Sequence, residues 1–133
     1  MIFLNIVREF RQVYLFLRAD TFSPEPSGHQ FENYVLTELL KLGHRPRYRR
    51  SRGGAGVDLV VGTDGGVVPI EVKLRADSGR TTRGLRSFLS TYRPGQAFVV
   101  GYRAEEGESV LSDTTVAFTD IAGLTRGLGR ARP

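Results

Sequence analysis

The chain contains no cysteine and no tryptophan among its 133 residues. Without a thiol it can form neither a disulfide nor a thiolate metal site, and the expected location is a reducing cytoplasm. Lysine is nearly as scarce. Lys41 and Lys73 are the only two, so arginine carries almost all the positive charge of a chain with formal net charge +5. Guanidinium forks match phosphate oxygens, which makes a nucleic acid an expected partner, although solvated surface arginines account for the same charge. No uncharged run approaches the roughly 20 residues that a membrane helix requires. The apolar stretch Met1–Leu17 is broken by Arg8, Glu9 and Arg11. No basic segment precedes it, which argues against a signal peptide. No Gly-x-x-x-x-Gly-Lys-Ser/Thr phosphate loop occurs, so P-loop nucleotide hydrolysis is excluded, and no Gly-x-Ser-x-Gly nucleophile turn appears. His29 and His44 lack metal-ligand spacing and are expected at the surface.

What remains is organised around Gly56–Leu74. Gly56–Thr63 and Gly66–Leu74 read as two strands joined at Asp64-Gly65, a dipeptide that favours a type I′ turn with positive φ at both positions. A two-residue loop sets Thr63 opposite Gly66, and counting outward sets Asp58 opposite Glu71. Alternation then gathers Asp58, Glu71 and Lys73 on one face. Val57, Leu59, Val61, Val68, Ile70 and Val72 form the other, apolar face. Two carboxylates in direct opposition destabilise a sheet. Either Lys73 neutralises them in a salt-bridge cluster, or they hold a divalent cation, for which hard oxygens are the preferred ligands. Pro69 is awkward here, because proline avoids central strands unless its missing N–H has no partner.

Upstream, Met1–Leu17 reads as a helix, or a helix and strand, that packs on the domain or pairs with another chain, such as a second copy or a protein partner. Residues 1–27 end in the linker Ser23-Pro-Glu-Pro-Ser-Gly. Gln30–Leu42 is an amphipathic helix with Phe31, Val35, Leu39 and Leu42 on one face and Asn33, Thr37 and Lys41 opposite; Gly43 stops it. Glu32 and Glu38 both fall inside the apolar arc, so periodicity does not choose between them. Pro46–Arg50 predicts a short strand. Its arginines, Arg47, Arg49 and Arg50, together with Arg52, serve either as phosphate contacts or as the charged guard of a sheet edge. Ser78–Tyr92 reads as a second helix. Leu85, Phe88, Leu89 and Tyr92 form its buried stripe, and Arg80, Arg83 and Arg86 its basic edge. Gln96–Tyr102 is a strand, placed by the crossover parallel to Gly66–Leu74. Ala104–Asp113 reads as an acidic loop and Thr115–Thr119 as a last strand. Asp120 is expected to cap a short helical turn, and residues 123–133 to fray as a basic tail.

Asp58 followed by Glu71-Val72-Lys73 resembles the signature of the PD-(D/E)XK nuclease superfamily. Five further segments extend the likeness: Gly28-His-Gln-Phe-Glu-Asn-Tyr-Val-Leu-Thr-Glu-Leu-Leu, Tyr48-Arg-Arg-Ser, Gly56-Val-Asp, Pro69-Ile-Glu-Val-Lys and Gly84-Leu-Arg-Ser-Phe-Leu. In that order they look like the nuclease-like domain at the C-terminus of bacterial and archaeal AAA-type ATPases. The likeness runs from about Gly28 to Tyr102. The ATPase half of that architecture is missing, so a stand-alone, remnant or truncated version is implied. The resemblance implies an α/β fold with a restriction-endonuclease-like core over residues 28–122. That core comprises a helix, a three-strand meander, a helix and a strand, forming a mixed central sheet with an extra edge strand. It also implies Mg²⁺- or Mn²⁺-dependent hydrolysis of DNA. Asp58, Glu71 and the Val72 carbonyl would ligate the metal, Glu32 rather than Glu38 would complete the shell, and Lys73 would serve the attacking water. The alternative is a catalytically silent module of the same fold that binds nucleic acid or protein.

Overall fold

A computed structural model describes residues 25–49 and 59–132. Within them, three helices pack on an open six-stranded mixed sheet. The elements are α1 (Gly28–Lys41), β1 (Arg47–Tyr48), β2 (Leu59–Thr63), β3 (Gly66–Ala76), α2 (Arg83–Tyr92), β4 (Gln96–Ala104), β5 (Gly107–Leu111), β6 (Thr114–Thr119) and α3 (Ile121–Leu128). The sheet order is β1-β2-β3-β4-β6-β5. The β1–β2–β3 meander is antiparallel, and α2 crosses over to β4, which runs parallel to β3. Both features follow the reading of the sequence.

α1 begins at a capping box. The Ser27 hydroxyl accepts from the Gln30 N–H, and the Gln30 side chain accepts from the Ser27 N–H. It ends where Gly43, at φ 85°, lets two N–H groups turn back, Gly43 to the Leu40 carbonyl and His44 to that of Leu39. That pairing is a Schellman cap, which suits glycine. A helix of this length is marginal alone. Phe31, Val35 and Leu39, each no more than 1% exposed, anchor it to the sheet. Complete burial of such side chains stabilises by about 1.5–3 kcal/mol apiece. Asn33 and Thr37, expected on the solvent side, are buried as well. The Thr37 hydroxyl donates to the Asn33 carbonyl at 2.9 Å, which meets its hydrogen-bonding need within the helix.

The sheet separates two cores. On one face Leu59, Val61, Val68, Ile70, Phe98 and Val100 meet α1 and Leu124 of α3. On the other, Ala97, Val99, Val116 and Phe118 meet Leu85, Phe88 and Leu89 of α2. The strand alternation expected for the apolar face of β2 and β3 thus holds, with Leu59, Val61, Val68 and Ile70 on the α1 side, while Ala76 at the end of β3 joins the α2 side.

The hairpin register is as expected, from Thr63–Gly66 to Leu59–Ile70, but its turn is not type I′. The positive φ falls on Gly66, at 113°, rather than on Asp64 and Gly65. The backbone expected there occurs instead at Ser112-Asp113, with φ 47° and 67°, between β5 and β6. Pro69 sits opposite Val60. Counting from the pair that closes the turn, this pair exchanges no bonds across the hairpin. The ladder to β4 starts only at Ile70, so the proline withholds no donor that β2 requires.

Four expectations are corrected. The acidic loop contains β5, which is the true sheet edge, and β6 lies inside it between β4 and β5. Helix α2 starts at Arg83 rather than Ser78. The chain after Ile121 is helical to Leu128 and then held: Ala131 donates to the Leu42 carbonyl at 2.8 Å, and Arg132 lies 3.2 Å from Asp64. His44 is buried, with Nε2 2.8 Å from the Gly129 carbonyl. The returning C-terminal chain covers the ring, a contact that no local pattern reveals.

Candidate functional site

β3 presents Glu71 and Lys73 side by side on the face that α2 covers. Their partners on β4 are Val99 and Gly101. Glu71 is only 3% exposed, although it is a carboxylate. Burial of a charge is costly unless dipoles and hydrogen bonds replace its water. Here Thr82, the N-cap of α2, donates its hydroxyl to Glu71 Oε1. The first turn of that helix turns its partial positive charge toward the same place. Lys73 Nζ lies 4.0 Å from Glu71 Oε2, at the outer limit of an ion pair, and about a third of its side chain is exposed. The pair therefore consists of a fixed, buried acid and a cation that still meets solvent.

Gly101 is required at this point. A Cβ there would come within 2.2 Å of the Arg103 carbonyl and 2.6 Å of the Ala76 nitrogen. Both are backbone atoms and cannot swing aside, so only glycine lets β3 and β4 coil this closely beside Lys73.

The remaining candidates are dispersed. Asp58, Arg50 and Arg52 lie outside the described residues. Val72 is half-buried, and its side chain joins the opposite core, beside α1. Glu32 is half-buried on α1, whose apolar stripe packs against the face opposite Glu71 and Lys73. From α1, any approach to Glu71 runs around the C-terminal ends of β3 and β4, where Phe31 meets Tyr102 with ring centroids 5.8 Å apart. Among the described residues, no group of three or more histidine, cysteine, aspartate or glutamate side chains is placed to hold a metal ion.

The arginines divide by what they touch. Arg47 on β1 and Arg83 at the start of α2 are exposed. Arg49 is engaged: its guanidinium carbon lies 4.4 Å from the Tyr92 ring centroid and 5.2 Å from that of Phe88, and it donates to the Tyr92 hydroxyl. Arg80 precedes the helix, in a turn where its N–H donates to the Asp77 carbonyl at 3.0 Å. The three-residue stripe of Arg80, Arg83 and Arg86 is thus not a helical one. Arg86 folds back onto the Thr81 carbonyl at 2.8 Å. Asp77 is held below the usual carboxylate value, chiefly by the hydrogen bond from Arg75; desolvation opposes this, and the charges of Arg75 and Arg80 add to it. Burial raises the Tyr34 hydroxyl, and neighbouring Glu38 adds to that.

Reading the sequence missed Thr82 and the Arg49–Tyr92 clamp. Thr82 had a local signal, a threonine three residues before Leu85 at the head of an apolar stripe, which is N-cap spacing. The clamp had none, since its members are distant in the chain. A cleft of about 830 Å³ lies elsewhere, between α3 and the β4–β6–β5 edge, lined by Phe98, Ala117, Thr119, Glu106, Glu108 and Arg126. None of the candidate catalytic residues lines it.

An α/β domain with a buried acid and a lysine two residues on, at the head of a crossover helix, is the class that these features define. Over residues 27–120 the chain matches the family model described as Domain of unknown function (DUF4143), and it belongs to that family, whose domain is commonly found at the C-terminus of AAA-type ATPases. No curated protein and no solved structure matches it. None of the described helices is long and apolar enough to cross a membrane.

Proposed function

We propose that this domain is a Mg²⁺- or Mn²⁺-dependent phosphodiesterase acting on DNA, with a restriction-endonuclease-like core and a cytoplasmic site of action. One observation carries the proposal: Glu71 is buried, fixed by Thr82, and shares its face with Lys73. The donor chemistry suits these cations, because a carboxylate supplies hard oxygen and the chain has no thiolate to divert the site toward softer metals. Asp58, Glu71, the Val72 carbonyl and Glu32 would hold the ion, Glu32 from around the strand ends. When bound, the ion lowers the pKa of attacking water and offsets charge on the phosphate. Lys73, about a third exposed beside Glu71, would orient that water and face the scissile phosphate. Arg47 and Arg83 are exposed to meet backbone phosphates, which position DNA without reading its sequence.

A catalytically silent module of the same fold, binding nucleic acid or a protein, is the second reading. It is favoured by the placement of α1, whose apolar stripe packs on the sheet face opposite Glu71 and Lys73.

Melting curves separate the two, taken for wild type and Asp58→Asn in EDTA and in millimolar Mn²⁺. An ion present at 100 times its dissociation constant stabilises the folded state by about 2.7 kcal/mol. The wild type should gain stability with Mn²⁺. Asp58→Asn should lose that gain and melt no lower than wild type in EDTA, since it relieves repulsion between carboxylates. A wild type indifferent to metal, together with a mutant that is less stable in EDTA, would favour the salt-bridge cluster and the silent module.

A further inference from the structure

Thr82 has a single hydroxyl proton and two engagements. The Leu85 N–H donates into its oxygen at 3.2 Å, so the hydroxyl's own proton is directed elsewhere, to Glu71 Oε1. The oxygen that caps α2 is thus the one that orients the buried acid. Glu71 Oε1 is committed to this bond, and Oε2 is turned to the side of Lys73. We infer that Thr82 is a positioning residue for Glu71, fixing the carboxylate so that Oε2 is the oxygen presented to a divalent cation. This rests on the metal-dependent reading proposed above.

The loop that delivers Thr82 is itself braced from several sides. Arg75 and Arg80 both reach Asp77, at 2.8 and 3.7 Å. Gly79 takes φ 83° and closes the turn, a conformation that favours glycine. Arg86 returns from α2 to the Thr81 carbonyl at 2.8 Å. Gly107 of β5 packs so closely on Ser78 that a Cβ there would fall 2.1 Å from the serine hydroxyl. Arg80 and Arg86 thus help to hold Thr82 in place, a use for these two arginines that needs no phosphate. Groups that orient a metal ligand in this way are commonly worth about 10–100-fold in metal affinity.

The test uses three substitutions and Mn²⁺ titration calorimetry, at a temperature where circular dichroism shows every variant folded. Thr82→Ser keeps both bonds. Thr82→Val removes the cap and the Glu71 bond together. Thr82→Gly removes the Glu71 bond yet retains most of the capping energy, because glycine is tolerated at an N-cap. Mn²⁺ should bind the serine variant within about twofold of wild type and bind the valine and glycine variants about tenfold or more weakly. Thr82→Gly should do so while melting above Thr82→Val in EDTA, because it keeps most of the cap and shares only the loss of the Glu71 bond. If Thr82→Gly binds Mn²⁺ as wild type does, the positioning role is wrong and the metal site stands. If the wild type itself binds no Mn²⁺, the metal-dependent function fails and the role of Thr82 fails with it.

Discussion

Replacing Arg49 with alanine should destabilise the fold and leave DNA binding unaffected. The guanidinium stacks 4.4 Å from the Tyr92 ring centroid, lies 5.2 Å from that of Phe88 and donates to the Tyr92 hydroxyl. Tyr92 is 46% exposed, so water competes for the site. A cation–π contact at such a site stabilises by about 0.5–1 kcal/mol. The hydroxyl bond adds a comparable amount at most, for a total of about 1–1.5 kcal/mol. In a chain of this size, each kcal/mol lowers the melting temperature by about 3–4 °C. The assay is a double-mutant cycle of Arg49→Ala and Tyr92→Ala in urea. Arg49 and Tyr92 should couple by about 0.5 kcal/mol or more. Tyr92→Phe, which keeps the ring, should cost less than Tyr92→Ala. Lysine should not rescue position 49, because it lacks the planar fork that stacks and donates together. Additivity within about 0.3 kcal/mol would refute the clamp and return Arg49 to the pool of phosphate contacts.

Other expected outcomes follow from the same geometry. Gly101→Ala should be severely destabilising, beyond the roughly 1–3 kcal/mol of ordinary overpacking, since the atoms met are backbone; thermal melting checks it, and a near-wild-type melt would mean that the β3–β4 coil is looser than described. Arg47→Ala and Arg83→Ala should each reduce the salt dependence of DNA binding by about one unit of slope in a titration series. The Asp77 carboxyl titrates lower in the folded chain than in the unfolded one, so its stabilising pairing is complete above the unfolded value and lost as pH falls through the folded one. Asp77→Asn should therefore flatten stability specifically below about pH 4, read by urea melts across the acid range.

Much of the site's frame was legible because it is local. Alternation along Leu59–Thr63 and Gly66–Lys73 fixed which residues share a face, and a short loop fixed the pairing, although the turn's positive φ moved to Gly66. Gly43 and Asp120 announced a helix stop and a helix start through chemistry confined to a few residues. What stayed hidden depends on distant partners. Glu108 and Val110 look like loop residues because the edge strand they occupy faces water, and only pairing to β6 makes it a strand. Gly123 and Gly127 weaken a helix by about 1 kcal/mol each relative to alanine. Yet α3 uses their bareness: a Cβ on Gly123 would strike the Thr119 hydroxyl at 1.7 Å, and one on Gly127 would meet the Phe98 ring at 2.9 Å. The face of the sheet that α1 covers stayed hidden for a related reason. Helical periodicity places a residue within the apolar arc but does not say which face of the sheet that arc will cover.

Cleavage of supercoiled plasmid and of single- and double-stranded oligonucleotides tests the central claim most directly. It should be run with Mg²⁺, Mn²⁺ and EDTA, comparing wild type with Glu71→Gln and Lys73→Ala. Metal-dependent nicking or cutting by the wild type, abolished by EDTA and by either substitution, is the expected result. Intact DNA under every metal condition, from a wild type that melts cooperatively and binds the same DNA, would contradict phosphodiester hydrolysis and leave a binding module.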